Sequence, residues 1–219
     1  DSDNQVILFQ VRPLAAANYH TASVDEGEFY QCKHRIKKEY EERLDVLSGK
    51  PMQLSDMAFW NPSEIIGSNP RPLDYSLYRR IITHRAWNEG LRPLGYCSLD
   101  EDLMYQVGNK PYINLNYSFY SLTPEALPKE LTARLVEYYH HCLQKDWSAH
   151  DKIEFEIVYS CYDFMTERNS RKLLEHGFTE EERSQVVSEL KKLTLDAIYR
   201  HKALLDQDRN SINVLEFTR

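Results

Sequence analysis

The chain has 219 residues, of which 42% are hydrophobic and 28% charged, with a formal net charge of -7. That composition folds, and the length suits one large domain or one domain plus a piece of another. The acidic balance argues against a general nucleic-acid surface. A mean hydropathy of -0.63 goes with the lack of any apolar run near the roughly 20 residues that a membrane span needs. Asp1-Ser2-Asp3-Asn4-Gln5 has neither the basic nor the apolar region of a signal peptide. A cytoplasmic protein is expected, with no nucleic acid and no membrane among its partners. Cys32, Cys97, Cys142 and Cys161 lie far apart and read as reduced thiols.

Val6-Ile7-Leu8-Phe9-Gln10-Val11 is a short strand-forming run closed by Pro13. A strand needs a partner for its backbone, and Asp1-Ser2-Asp3-Asn4 has the composition of a hairpin turn. The expected partner therefore lies upstream, as in a segment of a longer protein. From Val24 to about Leu47 the apolar residues Phe29, Cys32, Ile36, Tyr40, Leu44 and Leu47 recur at helical steps. Gly49 and Pro51 stop that helix. Asn61-Pro62-Ser63-Glu64 starts a short helix, which Gly67 to Pro72 break. Asp74 or Ser76 opens another, running to about Leu91.

Leu103 to Val107 and Pro111 to Leu115, joined by Gly108-Asn109-Lys110, read as a β-hairpin. Leu131, Leu135, Tyr138 or Tyr139, and Cys142 mark a helix to about Lys145. Ile153-Glu154-Phe155-Glu156-Ile157 alternates like a half-exposed strand, with a helix as its close competitor. Thr179-Glu180-Glu181-Glu182 is a capping box before a last helix with Val186, Leu190, Leu193, Ala197, Ile198, Leu204 and Leu205 along one stripe. The expected class is mainly α with a small β component.

The common chemical motifs are missing. No His pair shares a helix face at zincin spacing, and adjacent His140 and His141 diverge by about 100° on a helix. No Cys/His zinc spacing, nucleophile elbow, Walker A loop or G-x-G-x-x-G occurs. Glu154 and Glu156 suit a solvated face better than a catalytic pair. Gln10 and Arg12, two apart on a strand, share one face. A neutral amide beside a planar cation can line a nucleotide site, or it can decorate an exposed edge.

Three stretches resemble one family. Val6 to Leu14, an apolar strand running into Gln10-Val11-Arg12-Pro13, resembles the closing strand of the ATP-grasp domain in phosphoenolpyruvate synthases and pyruvate phosphate dikinases, which ends in Q-[AV]-R-P. Ser63 to Tyr78 resembles an E-x-x-G-x-x-[PT]-x-P-L-x-x-S run that follows this domain in the related antibiotic phosphotransferases. Gly108 to Leu115 is similar to that group's glycine turn and aromatic-x-Asn strand. The order of the motifs is also the family's.

The resemblance spans patches from residue 6 to about 120. It implies that residues 1–20 close an ATP-grasp domain and that 21–219 form an irregular helical module carrying a hairpin near 103–117. It implies ATP and Mg²⁺ as cofactors of the parent protein, Gln10 and Arg12 as nucleotide contacts, and a phosphohistidine domain as partner. The family's magnesium-binding Glu, its Gly-rich phosphocarrier His motif and its pyruvate barrel have no counterpart in these residues. No catalytic group, metal ligand or cofactor of its own is therefore expected of this segment. By analogy with the antibiotic phosphotransferases, the helical module holds an unidentified small-molecule acceptor, with Glu64, Arg71, Tyr112 and Asn114 as candidate contacts and Asn69, Tyr75 and Asn116 nearby. Arg71 can instead cap a helix or pair with Glu64, and Asn114 can simply bond a neighbouring loop. The alternative function is a stand-alone helical module that binds a ligand or protein without catalysis.

Overall fold

The computed structural model describes residues 25–56, 62–146, 148 and 156–217. The strand expected over Val6 to Val11, with Gln10 and Arg12, lies outside the described residues. So does most of the Ile153 to Ile157 segment. Its last two residues, Glu156 and Ile157, are helical in backbone, so the strand expected there is not formed at these positions.

The described chain is mostly helical around one small antiparallel sheet. Helix α1 (Glu26–Glu41) starts at Asp25, whose carboxylate accepts from the Glu28 amide at 3.0 Å. It ends six residues short of the expected Leu47. The reason is Asp45, whose side-chain oxygen accepts from the amides of Leu47 at 3.0 Å and Ser48 at 2.9 Å. That local alternative to helix bonding turns the chain back. Gly49, at φ 62°, completes the turn, and Leu44 pairs with Pro51. The stripe of α1 is also less buried than its period suggests, since no described residue of this helix is buried and Phe29 is 54% exposed.

The sheet has the order β1-β3-β2, with β1 at Leu54–Ser55, β2 at Met104–Val107 and β3 at Lys110–Asn114. The predicted hairpin is formed, Met104 facing Ile113 and Val107 facing Lys110 across Gly108-Asn109. Pro111 is tolerated in the middle strand because Gln106↔Pro111 is a pair that exchanges no backbone bonds, and β1 reaches only Ile113 and Asn114 on the other side. The two-residue β1 has no pattern long enough to predict.

Helix α2 (Pro62–Ile66) follows β1, and α3 (Pro72–Tyr78) begins with its proline at the first helical position. The chain then widens into a π-helix over Arg79–Ala86 before α4 (Trp87–Leu91). Asn88, on α4, is buried. Its amide donates to the carbonyls of His84 at 2.7 Å and Glu101 at 2.9 Å, and its oxygen takes the hydroxyls of Ser98 and Tyr117. Helix α5 (Leu115–Ser121) was not expected, since its Asn, Ser, Tyr and Phe are middling helix formers. It forms because Asn114 caps it, accepting from the Tyr117 amide, and because nearly every side chain is buried.

Helix α6 (Lys129–Lys145) buries Leu131, Leu135, Tyr138, Tyr139 and Leu143, so both tyrosines join the core. After α7 (Thr166–Asn169) and α8 (Lys172–Glu175) comes α9 (Glu180–Phe217). The capping box is made: the Thr179 amide donates to Glu182 at 2.8 Å, and the Glu182 amide donates to Thr179 Oγ1 at 3.2 Å. Val186, Leu190 and Leu193 are buried, while Ile198 and Leu204 are 57% and 60% exposed. Only the first part of the stripe therefore packs. Met104, Ile113, Tyr117, Phe119, Leu135, Tyr139, Leu173 and Leu190 are the centre of the core. All four cysteines are free. Among the described residues, no helix is long and apolar enough to cross a membrane.

Candidate functional site

The residues singled out from the sequence do not converge on one point. Glu64 sits on α2, and its side chain is outside the described residues. Arg71 occupies the N-cap position of α3, is exposed and makes no capping bond. Tyr112 is half-buried on β3, with the Lys110 ammonium 5.3 Å from its ring centre. Asn114 is buried, and its whole amide is engaged. Its oxygen caps α5, while its nitrogen donates to the Asp45 carboxylate at 3.0 Å.

Asn114 nevertheless leads to a site. Asp45 is only 2% exposed, and it collects two backbone amides, the Ser48 hydroxyl at 3.1 Å and the Asn114 amide. Ser48 Oγ in turn accepts from Asn116 Nδ2 at 3.2 Å. The oxygen of Asn116 meets Nε2 of His140 on α6. Every donor in this chain points the same way. The imidazole Nε2–H donates to Asn116, Asn116 to Ser48, and Ser48 to the carboxylate. An amide oxygen can only accept, so His140 carries its proton on Nε2 and keeps the lone pair on Nδ1.

Ser48, Asn116 and His140 line a cleft of about 970 Å³ between the turn at 44–53, the loop before α6, and α6 itself. Leu47, Pro51, Leu99, Leu127 and Val136 form its apolar wall. Lys50, Lys129, Glu125 and Glu137 supply two charges of each sign. This combination, an apolar wall with a few convergent polar groups, is the usual make-up of a small-molecule site. The cleft lies beside the end of β3 and the start of α5, where Asn114 and Asn116 stand.

Burial pushes His140 down to about 4, against the opposing fields of Asp45 and Glu137. At neutral pH the ring is therefore uncharged. Unfolded, the same ring titrates near its ordinary 6.5. As pH falls below 6.5 the unfolded chain takes up a proton that the folded chain refuses. Stability is thus full above about 6.5, is lost on the way down to 4, and is lost no further below that. Urea titrations of the wild type at pH 7 and 4.5 are expected to differ by about 2 kcal/mol more than those of His140→Gln, which lacks the titration. Equal differences would mean that the ring is solvated and ordinary.

A second groove, of about 760 Å³, runs between α1 and the hairpin. Two of its three arginines are matched, Arg43 with Glu39 at 2.6 Å and Arg79 with Asp102, while Arg35 lies against Cys32 Sγ at 3.8 Å. Among the described residues, no group of three or more His, Cys, Asp or Glu is placed to hold a metal ion. Asp45, Ser48 and His140 were not picked out from the sequence. Asp45 was hidden in an apparent helical period, and His140 looked like one of two adjacent helix histidines. The one available signal was the Asn-x-Asn spacing of Asn114 and Asn116 at a strand end. Compared with protein-family models, with curated proteins and with solved structures, the chain matches none.

Proposed function

We propose that this chain is the acceptor-holding module of an ATP-dependent phosphotransferase of the phosphoenolpyruvate synthase and pyruvate phosphate dikinase type. In this reading Gln10 and Arg12 contact the nucleotide in an ATP-grasp domain that uses Mg²⁺. A phosphohistidine domain carries the phosphoryl group to the helical module. The cleft under α6 holds the small-molecule acceptor, and dependence on ATP puts the protein in the cytoplasm. The observation that carries the reading is the position of the cleft. Its polar chain includes Asn114, within the Gly108 to Leu115 stretch that resembles the antibiotic phosphotransferases, and Asn116 one residue beyond it.

The test is radiolabelled ATP with Mg²⁺, added to the protein carrying this chain together with its ATP-grasp and phosphohistidine domains. Acid-labile label on a histidine is expected. Arg12→Ala should lower its formation at least about 10-fold, since a cation on a transferring phosphoryl group is worth several kcal/mol, and it should leave the thermal transition of the helical module in place. No label on the wild type removes the proposal, and unchanged labelling in Arg12→Ala removes Arg12 from the site.

A specific observation favours the second reading, a binding module without catalysis. Leu73, Leu77 and Ile81 follow one another at four-residue steps along α3 and the π-helix, and are 66%, 49% and 55% exposed. Such a stripe is a docking face for an apolar partner. The same labelling experiment separates the two, since a binding module forms no phosphoenzyme.

A further inference from the structure

We infer that His140 is the catalytic base of the cleft, taking the proton from an acceptor that arrives uncharged with its nucleophilic O–H intact. The inference rests on the phosphotransferase reading and adds to it the group that activates the acceptor.

The geometry carries it. Nε2 of His140 is committed to Asn116, so Nδ1 holds the lone pair. No hydrogen bond engages Nδ1 among the described residues, and His140 lines the cleft, so the lone pair is placed within reach of a bound acceptor. Behind the ring stand Asn116, Ser48 and the buried Asp45 carboxylate, each accepting from the group before it. A proton gained at Nδ1 makes Nε2–H a stronger donor. The charge is then shared along a chain that ends on a fixed anion. The edge-on ring of Phe119, 4.8 Å away between centres, holds the imidazole plane from the side. The ring is neutral before the acceptor binds, so the lone pair is available. A dianionic phosphoryl group entering the cleft stabilises the imidazolium and strengthens the base when it is needed.

The step balances. The acceptor O–H bond breaks and its proton moves to Nδ1. The freed oxygen pair forms the new O–P bond, and the P–N bond of the phosphohistidine breaks with its electron pair returning to that imidazole. The proton on His140 then passes to the departing imidazole or to solvent. A carboxylate acceptor brings no proton and needs no base. A hydroxyl acceptor, which keeps its proton until attack, is the one that a base in this cleft serves.

Two experiments test this. In the first, diethyl pyrocarbonate is applied to the chain, and the modified histidines are mapped by mass spectrometry. His140 should react at Nδ1, with a rate that does not fall between about pH 7 and about pH 5, as a ring still neutral there requires. No modification, or a rate that falls as the ring protonates, overturns the inference. In the second, labelled phosphoenzyme of the protein with all its domains is mixed with glycerol as the hydroxyl acceptor. His140→Gln should slow transfer about 100-fold and leave phosphoenzyme formation unchanged. Added imidazole should restore much of the rate in His140→Gly, which a purely structural role would not allow. Normal phosphoenzyme with equal transfer in the variant overturns this inference alone. Failure of the wild type to form any phosphoenzyme overturns both it and the reading on which it rests.

Discussion

Asp45→Ala is expected to destabilise the protein by about 3 kcal/mol, because four donors, one buried and three half-buried, lose one shared buried acceptor. The donors are the amides of Leu47 and Ser48, the Ser48 hydroxyl and the Asn114 side chain, at 2.9 to 3.1 Å. No cation pairs with this carboxylate among the described contacts. Its burial is compensated by these hydrogen bonds alone, so removing it also relieves some desolvation. That relief is why the figure is held near 3 kcal/mol and not set at the sum of four lost bonds. For a chain of this size the melting temperature should fall by roughly 6–12 °C. Asp45→Asn retains one acceptor oxygen and should cost about half as much. The two variants also test the turn itself: with Asp45 gone, the apolar period of Leu44 and Leu47 is free to extend α1, and helical circular dichroism should rise slightly. A loss under about 1 kcal/mol for Asp45→Ala would mean that water replaces the carboxylate freely and that the turn is not built on it.

Phe119→Ala is expected to cost about 4 kcal/mol, the largest single loss anticipated here. The ring is completely buried on α5 and packs against Tyr139 at 5.7 Å and His140 at 4.8 Å between centres. Truncation leaves a cavity walled by α6, and the aromatic side chains around it are too constrained to fill it. Phe119→Leu keeps most of the volume and should lose only about 1 kcal/mol. Because the ring also flanks His140, Phe119→Ala should let water reach the imidazole and move its titration back up toward 6.5. Histidine resonances followed by NMR over the acid range would show this. A loss equal to that of Phe119→Leu would mean that α5 collapses onto α6 and closes the space.

Several parts of this fold are local, and they are legible one residue at a time. The Thr179/Glu182 capping box, the Pro62 helix start, and the Gly108-Asn109 hairpin connection each involve groups within four residues of one another, whereas α3 starts at Pro72, ahead of the expected Asp74 or Ser76. Their geometry follows from which side chain can reach which backbone group. Helix α6 was legible for a related reason, since a repeating apolar face over 17 residues has few other uses. The end of α1 was not legible. Periodicity carried it to Leu47, whereas the side chain of Asp45 bonds its own following amides and is held there by Asn114, 69 residues away. Helix α5 was missed because its propensity is weak and burial supplies what propensity lacks. The candidate site follows the same division. Asn114 and Asn116 stood out at the end of a patterned strand, but their partners Asp45, Ser48 and His140 belong to elements far apart in the chain.

By itself, then, the amino-acid order determined the mainly helical class, the hairpin, the starts of α2 and α9, and an acidic chain without a long apolar run. All of these depend on spacing and composition within short windows. Tertiary structure decided where α1 stops, that β1 joins the hairpin, and which half of the α9 stripe is buried. It also decided that one of eight histidines sits neutral at the end of a half-buried hydrogen-bond chain anchored on the buried Asp45. A ring's charge and free lone pair depend on the dielectric and donors brought to it by distant segments, and no local pattern encodes those.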